Sequence, residues 1–308
     1  MLHVRLVSPA AITGRLTERL AAAPGVHRVV VQAGAARPDG DAVQFDVADE
    51  AANPVFAALH ELALDDTGVI YVQRVDAMLT RQAPVPTVRG VLRSEHAPVW
   101  EMVRAAIRAG QVYNAGFYIL LVIAGLIGAV GLLTNSQVLI VAAMVVGPEY
   151  NAIIAVALGI SERDGAAVRS GLLALLYGFG AAIVVTLLFG LAVRGAGRAP
   201  SLFLSGVRPV ADFINAPDVF SVIVAVLAGI VGVVSLTEAR ANALIGVFIS
   251  VTTIPAAASV GISIAFASWT EAAGSALQLL LNVGVLIAVG AAGLIAQRGI
   301  WSWRSSRS

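Results

Sequence analysis

Between residues 113 and 296 the chain carries six apolar segments, each near the length a helix needs to cross a bilayer. They run 113–133, 138–160, 166–193, 219–236, 243–267 and 272–296. Within hydrocarbon every backbone amide must be satisfied by the protein itself, so segments of this length select membrane-spanning helices. The expected class is an α-helical polytopic membrane protein with six spans and the lipid bilayer as its surrounding. The charge distribution agrees. Only 13% of residues are charged, against about 25% in soluble domains. Most of that charge, and all four His, lie in residues 1–110. The chain reads as a soluble head on a membrane body.

Two of the apolar segments are interrupted by proline. Pro148 is followed by Glu149, Tyr150 and Asn151, and Pro255 is preceded by Val251, Thr252 and Thr253. The prolines are 107 residues apart. The same offset pairs Asn135 with Asn242 and Asp164 with Glu271. This pattern predicts a duplicated three-span unit with a broken helix in each copy. Three spans is an odd number, so the second copy enters the membrane upside down, giving a 3+3 inverted repeat. Helices broken at matching positions in two halves point to a binding site.

The break has a chemical consequence. Proline lacks an amide hydrogen and clashes with the carbonyl four residues back. Pro148 is expected to free the carbonyl of Met144, and Pro255 that of Val251. Glu149 places a carboxyl deep in the bilayer, where a charged side chain costs roughly 2.5–3.5 kcal/mol on insertion scales. Such a group is protonated, paired or facing a wet cavity, which suits proton or cation coupling. Tyr150, Asn151, Asn242, Thr252, Thr253 and Asn282 are candidate polar contacts. Each has a plainer reading: proline as a packing kink, threonine bonding back to its own helix, asparagine as glue between helices. Gly125, Gly128 and Gly131, and likewise Gly229 and Gly232, read as close-packing faces.

The head, residues 1–76, reads as βαββαβ, the ferredoxin-like order. Strands are expected at 3–7, 26–32, 42–47 and 69–75, with a turn region at 33–40. Helices are expected at 10–22 and 53–62, the latter with Pro54 at its first position. Residues 77–111 form a linker holding Pro84 and Pro86, then a juxtamembrane amphipathic helix at 96–111. Residues 112–297 are the membrane domain, and 298–308 a basic tail. Arginine placement puts both termini on the cytoplasmic side, with Arg163, Arg169, Arg240 and Arg298 inside and Arg194, Arg198 and Arg208 outside. Residues 1–10 lack the pattern of a signal peptide.

Cysteine and lysine are absent, which removes disulfides, a P-loop lysine and Schiff-base chemistry. His3, His27, His60 and His96 show no metal-ligand spacing. No catalytic residue, metal or cofactor is expected, and a net charge of +1 gives no reason to expect nucleic-acid binding.

The run Thr134-Asn135-Ser136-Gln137, followed by apolar residues to Met144 and then Val145-Val146-Gly147-Pro148-Glu149-Tyr150, resembles the signature of a bacterial uncharacterised hydrophobic domain family, domain of unknown function 389. Ala155–Asp164, the region of Pro255 and Leu281-Asn282 also resemble that family's pattern, so the likeness covers about 113–296. The chain departs from it at Asn151-Ala152 and at Ile254-Pro255-Ala256. The resemblance implies a bacterial inner-membrane protein, often with an α/β head, and supplies little chemistry. The expected function is a transporter or channel for a small solute or ion, assembled as a homo-oligomer. The alternative is a non-transporting sensor or scaffold whose head binds a ligand or partner.

Overall fold

The computed structural model describes residues 1–36, 40–64, 69–75, 100–205, 214, 218–237 and 253–305. The linker prolines, Arg208, Arg240, Asn242, Val251 and Thr252 lie outside the described residues. The chain divides into two units, Met1–Ala105 and Ala106–Ser308.

The head follows the element order expected from the sequence: β1 (Leu2–Ser8), α1 (Ala10–Ala22), β2 (Val26–Ala36), β3 (Gly40–Val47), α2 (Asp49–Glu61) and β4 (Ile70–Arg74). The sheet order is β2-β3-β1-β4, with every neighbouring pair antiparallel. Alternation in β1 buries Leu2, Val4 and Leu6 against Leu16 and Leu20 of α1 and Val55, Phe56 and Leu59 of α2. Each such side chain contributes about 1.5–3 kcal/mol on full burial. Two expectations need correction. β2 continues through the supposed turn to Ala36, pairing irregularly with β3. Helix α2 begins at Asp49, so Pro54 lies inside it rather than at its start. That proline forfeits one helical hydrogen bond. Buried Ala52, Val55, Phe56 and Leu59 hold the helix together across it.

After α3 (Trp100–Ala109), the second unit contains α4 (Ala115–Leu133), α5 (Gln137–Val146), α6 (Glu149–Glu162), α7 (Gly165–Gly195), the short α8 (Ser201–Leu204), α9 (Val219–Thr237), α10 (Thr253–Ala265) and α11 (Trp269–Ser305). Among the described residues four helices are long and apolar enough to cross a membrane, or five if the pair α5–α6, bent by 51°, is one span. Helix α10 is shorter, and the first part of the segment expected at 243–267 falls outside the described residues. Their outward faces are apolar: Leu176 and Leu188 on α7, Phe220 and Leu227 on α9, and Leu280 on α11 are all exposed. The protein is therefore a membrane protein by its helices and carries a small α/β head.

The elements recur at an offset of 104 residues rather than 107. Helices α4 and α9 are both 19 residues long and start at 115 and 219. Their caps match: the Asn114 side chain accepts from the Phe117 amide, and the Asp218 side chain from the Ser221 amide. Helices α6 and α10 start at 149 and 253. Both end on a left-handed residue, Arg163 (φ 59°) and Ala267 (φ 60°). In each case the next amide reaches back five residues over 2.8 Å, Asp164 to the Gly159 carbonyl and Ser268 to the Ser263 carbonyl. Helices α7 and α11 follow at 165 and 269.

Candidate functional site

The chain breaks between α5 and α6 at Gly147 and Pro148. Gly147 is extended (φ −72°, ψ 133°), and Pro148 stands immediately before the first helical residue, Glu149. Proline is well suited there, because helix N-termini leave their first amides without intrahelical partners. Pro255 differs. It is the third residue of α10, where its missing amide costs no helical hydrogen bond. Among the described residues Pro255 therefore does not break a helix. The carbonyl it was expected to free, on Val251, lies outside them.

The two N-termini meet. Thr253, the first residue of α10, donates its hydroxyl to Oε1 of Glu149, the first residue of α6, at 2.7 Å. Both side chains are buried, with exposures of 2% and 5%. Oε2 of Glu149 is also buried and has no hydrogen-bond partner among the described residues. It lies against Gly147, where an added Cβ would collide with both that oxygen and Ile254 Cδ1. Thus 149 and 253, equivalent by the 104-residue offset, are in direct contact. The expectation from sequence named both residues but not their pairing.

The other predicted residues distribute as follows. Met144 is buried on α5. Tyr150 is buried with its hydroxyl end against Gly232 of α9. Asn151 is exposed and packs near Gly110, away from the carboxyl. Asn282 is buried on α11, where its Oδ1 accepts from Gln278 Nε2 at 3.2 Å. Thr252 is outside the described residues.

Helix directions follow from close contacts. In the α6–α7 hairpin Gly159 faces Val168 and Gly171 faces Ala152 and Val156, so the two run antiparallel. Helix α10 runs parallel to α7, since Gly261 meets Ile183 and Leu187 while Gly190 meets Ile262 and Ala265. Helices α6 and α10 therefore point in opposite directions with their starting ends together. The contacts repeat as well. Gly261 rests on Thr186, and the equivalent pair, Ala157 and Gly290, is also in contact.

Sequence reasoning missed one set of buried polar residues. Ser275 Oγ donates to Ser259 Oγ at 2.9 Å, both buried. Ser263 Oγ donates to Glu271 Oε2 at 3.5 Å. Gln278 is buried and its Oε1 has no hydrogen-bond partner among the described residues. A signal was present: 271, 275, 278 and 282 share one helical face by their spacing, as do 259 and 263.

The model of a family described as a domain of unknown function, DUF389, matches residues 144–288. The resemblance read from Met144, Pro148 and Asn282 is borne out, over a shorter stretch than expected. The matched stretch includes Glu149, Thr253 and the missed polar set, and excludes the head. Nothing among curated proteins or solved structures matches the chain.

Proposed function

We propose that this protein is a membrane transporter or channel for a small solute or ion, with its site where α6 and α10 meet and Glu149 as the coupling carboxyl. One observation carries the reading: a buried carboxyl bridges two helix N-termini through Thr253 and keeps one buried oxygen without a partner among the described residues. Ionisable groups buried in membrane helices are costly, and functional by default. A carboxyl of this kind takes up a proton or holds an ion in transit. Two opposed helix N-termini add partial positive charge on either side, which keeps its affinity for a cation modest enough for release.

The membrane body is, on this reading, a 3+3 inverted repeat of six spans. The bent pair α5–α6 is the second span, and α10 belongs to the fifth. The shared 104-residue spacing, the matched caps and the opposed directions of α6 and α10 support it. Arginine placement supports cytoplasmic termini.

The test is flux into liposomes of purified protein, wild type against Glu149→Gln, with protons and a panel of small ions as probes. Loss of at least tenfold in flux, with the variant still monodisperse and helical, is the expected result. Unchanged flux in Glu149→Gln overturns the reading.

A further inference from the structure

Helices α10 and α11 form an antiparallel hairpin whose register is set by two contacts, Ser263 with Glu271 and Ser259 with Ser275. Continuing that register sets Gln278 level with Ala256, and Asn282 level with the starting end of α10, where Thr253 holds Glu149. The seam thus carries polar side chains along its length. From Thr253 to Ser263 it spans about 15 Å, half of a hydrocarbon core of about 30 Å. Thr253, Ser259, Ser263, Ser275, Gln278 and Asn282 are each no more than 2% exposed. At the far end Glu271 is partly exposed in the first turn of α11.

The equivalent seam between α6 and α7 has no such line. At the positions matching Ser259, Ser263, Ser275, Gln278 and Asn282 stand Ala155, Gly159, Gly171, Ala174 and Gly178. All five are buried; α6 and α7 pack closely through Gly159 and Gly171, while Gly178 faces Leu121 and Phe117 of α4. Buried polar side chains in a membrane interior are costly and mark solute or ion paths. Gln278 Oε1 and Glu149 Oε2, unpartnered among the described residues, leave acceptor capacity at two levels of the same seam.

We infer that the α10–α11 seam is the entry path for water and protons between the Glu271 surface and Glu149, while the α6–α7 seam is sealed. The proton is taken from water at the Glu271 end and passed along the seam. It is bound by the Glu149 carboxylate, and the same route returns it. The inference rests on Glu149 being the coupling carboxyl, and its test separates the two.

Because the chain has no cysteine, single substitutions report access directly. In reconstituted protein, Ser259→Cys and Ser275→Cys should react with a small charged methanethiosulfonate at least tenfold faster than Ala155→Cys and Ala174→Cys in the sealed seam. Equal rates overturn the inference, whatever Glu149 does. The double variant Ser259→Ala, Ser275→Ala should lower proton uptake at least fivefold with Glu149 intact. Unchanged uptake in that variant, alongside loss in Glu149→Gln, removes the path and leaves the carboxyl's role standing. Unchanged uptake in Glu149→Gln instead removes the role on which the path depends.

Discussion

The two hairpins of the membrane unit, α6–α7 and α10–α11, share their starting positions, the left-handed turn between their helices and their register, yet one is closed with alanine and glycine and the other with serine, glutamine and asparagine. In the first, close backbone approach does the work, and dispersion between small residues holds the helices. In the second, hydroxyl and amide pairs replace part of that contact. On the proposed reading, a duplicated frame needs only one copy of each device: one half is the rigid wall, the other the hydrophilic seam, and Glu149 sits where the two copies touch.

The largest expected effect compares two equivalent crossings. At Gly261 an added Cβ would lie 2.7 Å from the Ile183 carbonyl oxygen and 2.8 Å from the Leu187 amide nitrogen, backbone atoms that cannot step aside. Gly261→Ala should destabilise by about 3 kcal/mol, the upper range for overpacking. At Gly290 the nearest atom is Ala157 Cβ, at 3.0 Å, so Gly290→Ala should cost about 1 kcal/mol or less. Chemical unfolding in detergent measures both, and equal costs would break the asymmetry between the crossings.

A smaller effect sharpens the contrast between seams. Ser275→Ala removes one member of a buried hydroxyl pair and should cost about 1–2 kcal/mol. The double variant with Ser259→Ala should cost less than the sum of the two singles, since no donor is then left facing a lost acceptor. Additive costs, read in the same unfolding assay, would mean the hydroxyls do not act as a pair.

Next comes the side-chain cap at the start of α7. Asp164 accepts from the amides of Ala166 and Ala167, both at 3.1 Å. Asp164→Ala should cost about 1 kcal/mol by thermal unfolding, with flux unchanged. A larger loss of flux than of stability would mean the cap has a role in transport.

The smallest effect lies in the head. The Gly34 amide, donating to Asp41 Oδ1 at 2.8 Å, and then the Thr13 hydroxyl hold the Asp41 carboxyl below the usual carboxylate range. Its folded form prefers the charge. The stability it gives is therefore complete above the ordinary carboxylate pKa and is lost as pH falls through the lowered one. Asp41→Asn should flatten the acid limb of the head's unfolding curve followed by hydrogen exchange. An unchanged acid limb would contradict this.

Much of the fold was legible in the sequence because it is set locally. The bounds of α1, the helical segments and the break at Gly147-Pro148 follow from periodicity, apolar length and proline chemistry. The repeat spacing was misread for an instructive reason. Proline is tolerated both just before a helix and in its first turn. Pro148 and Pro255 use these two different places, so matching one proline to the other slips the register by three residues. Glu149 and Thr253 were legible as polar residues in apolar surroundings, but their contact spans 104 residues of chain and depends on how the halves dock. The seam was legible in the spacing of Glu271, Ser275, Gln278 and Asn282. Serine's ability to bond back to its own helix gives each residue an ordinary local explanation, which hid the common face.

The most direct measurement exchanges the two equivalent residues. Glu149→Thr combined with Thr253→Glu keeps one carboxyl and one hydroxyl at the junction and swaps only the half that supplies each. Proton uptake into liposomes should fall at least tenfold in Glu149→Thr alone and recover to within about threefold of wild type in the exchanged protein, a difference near 0.7 kcal/mol in rate. If the exchanged protein folds yet stays as inactive as the single variant, the two halves do not share one site.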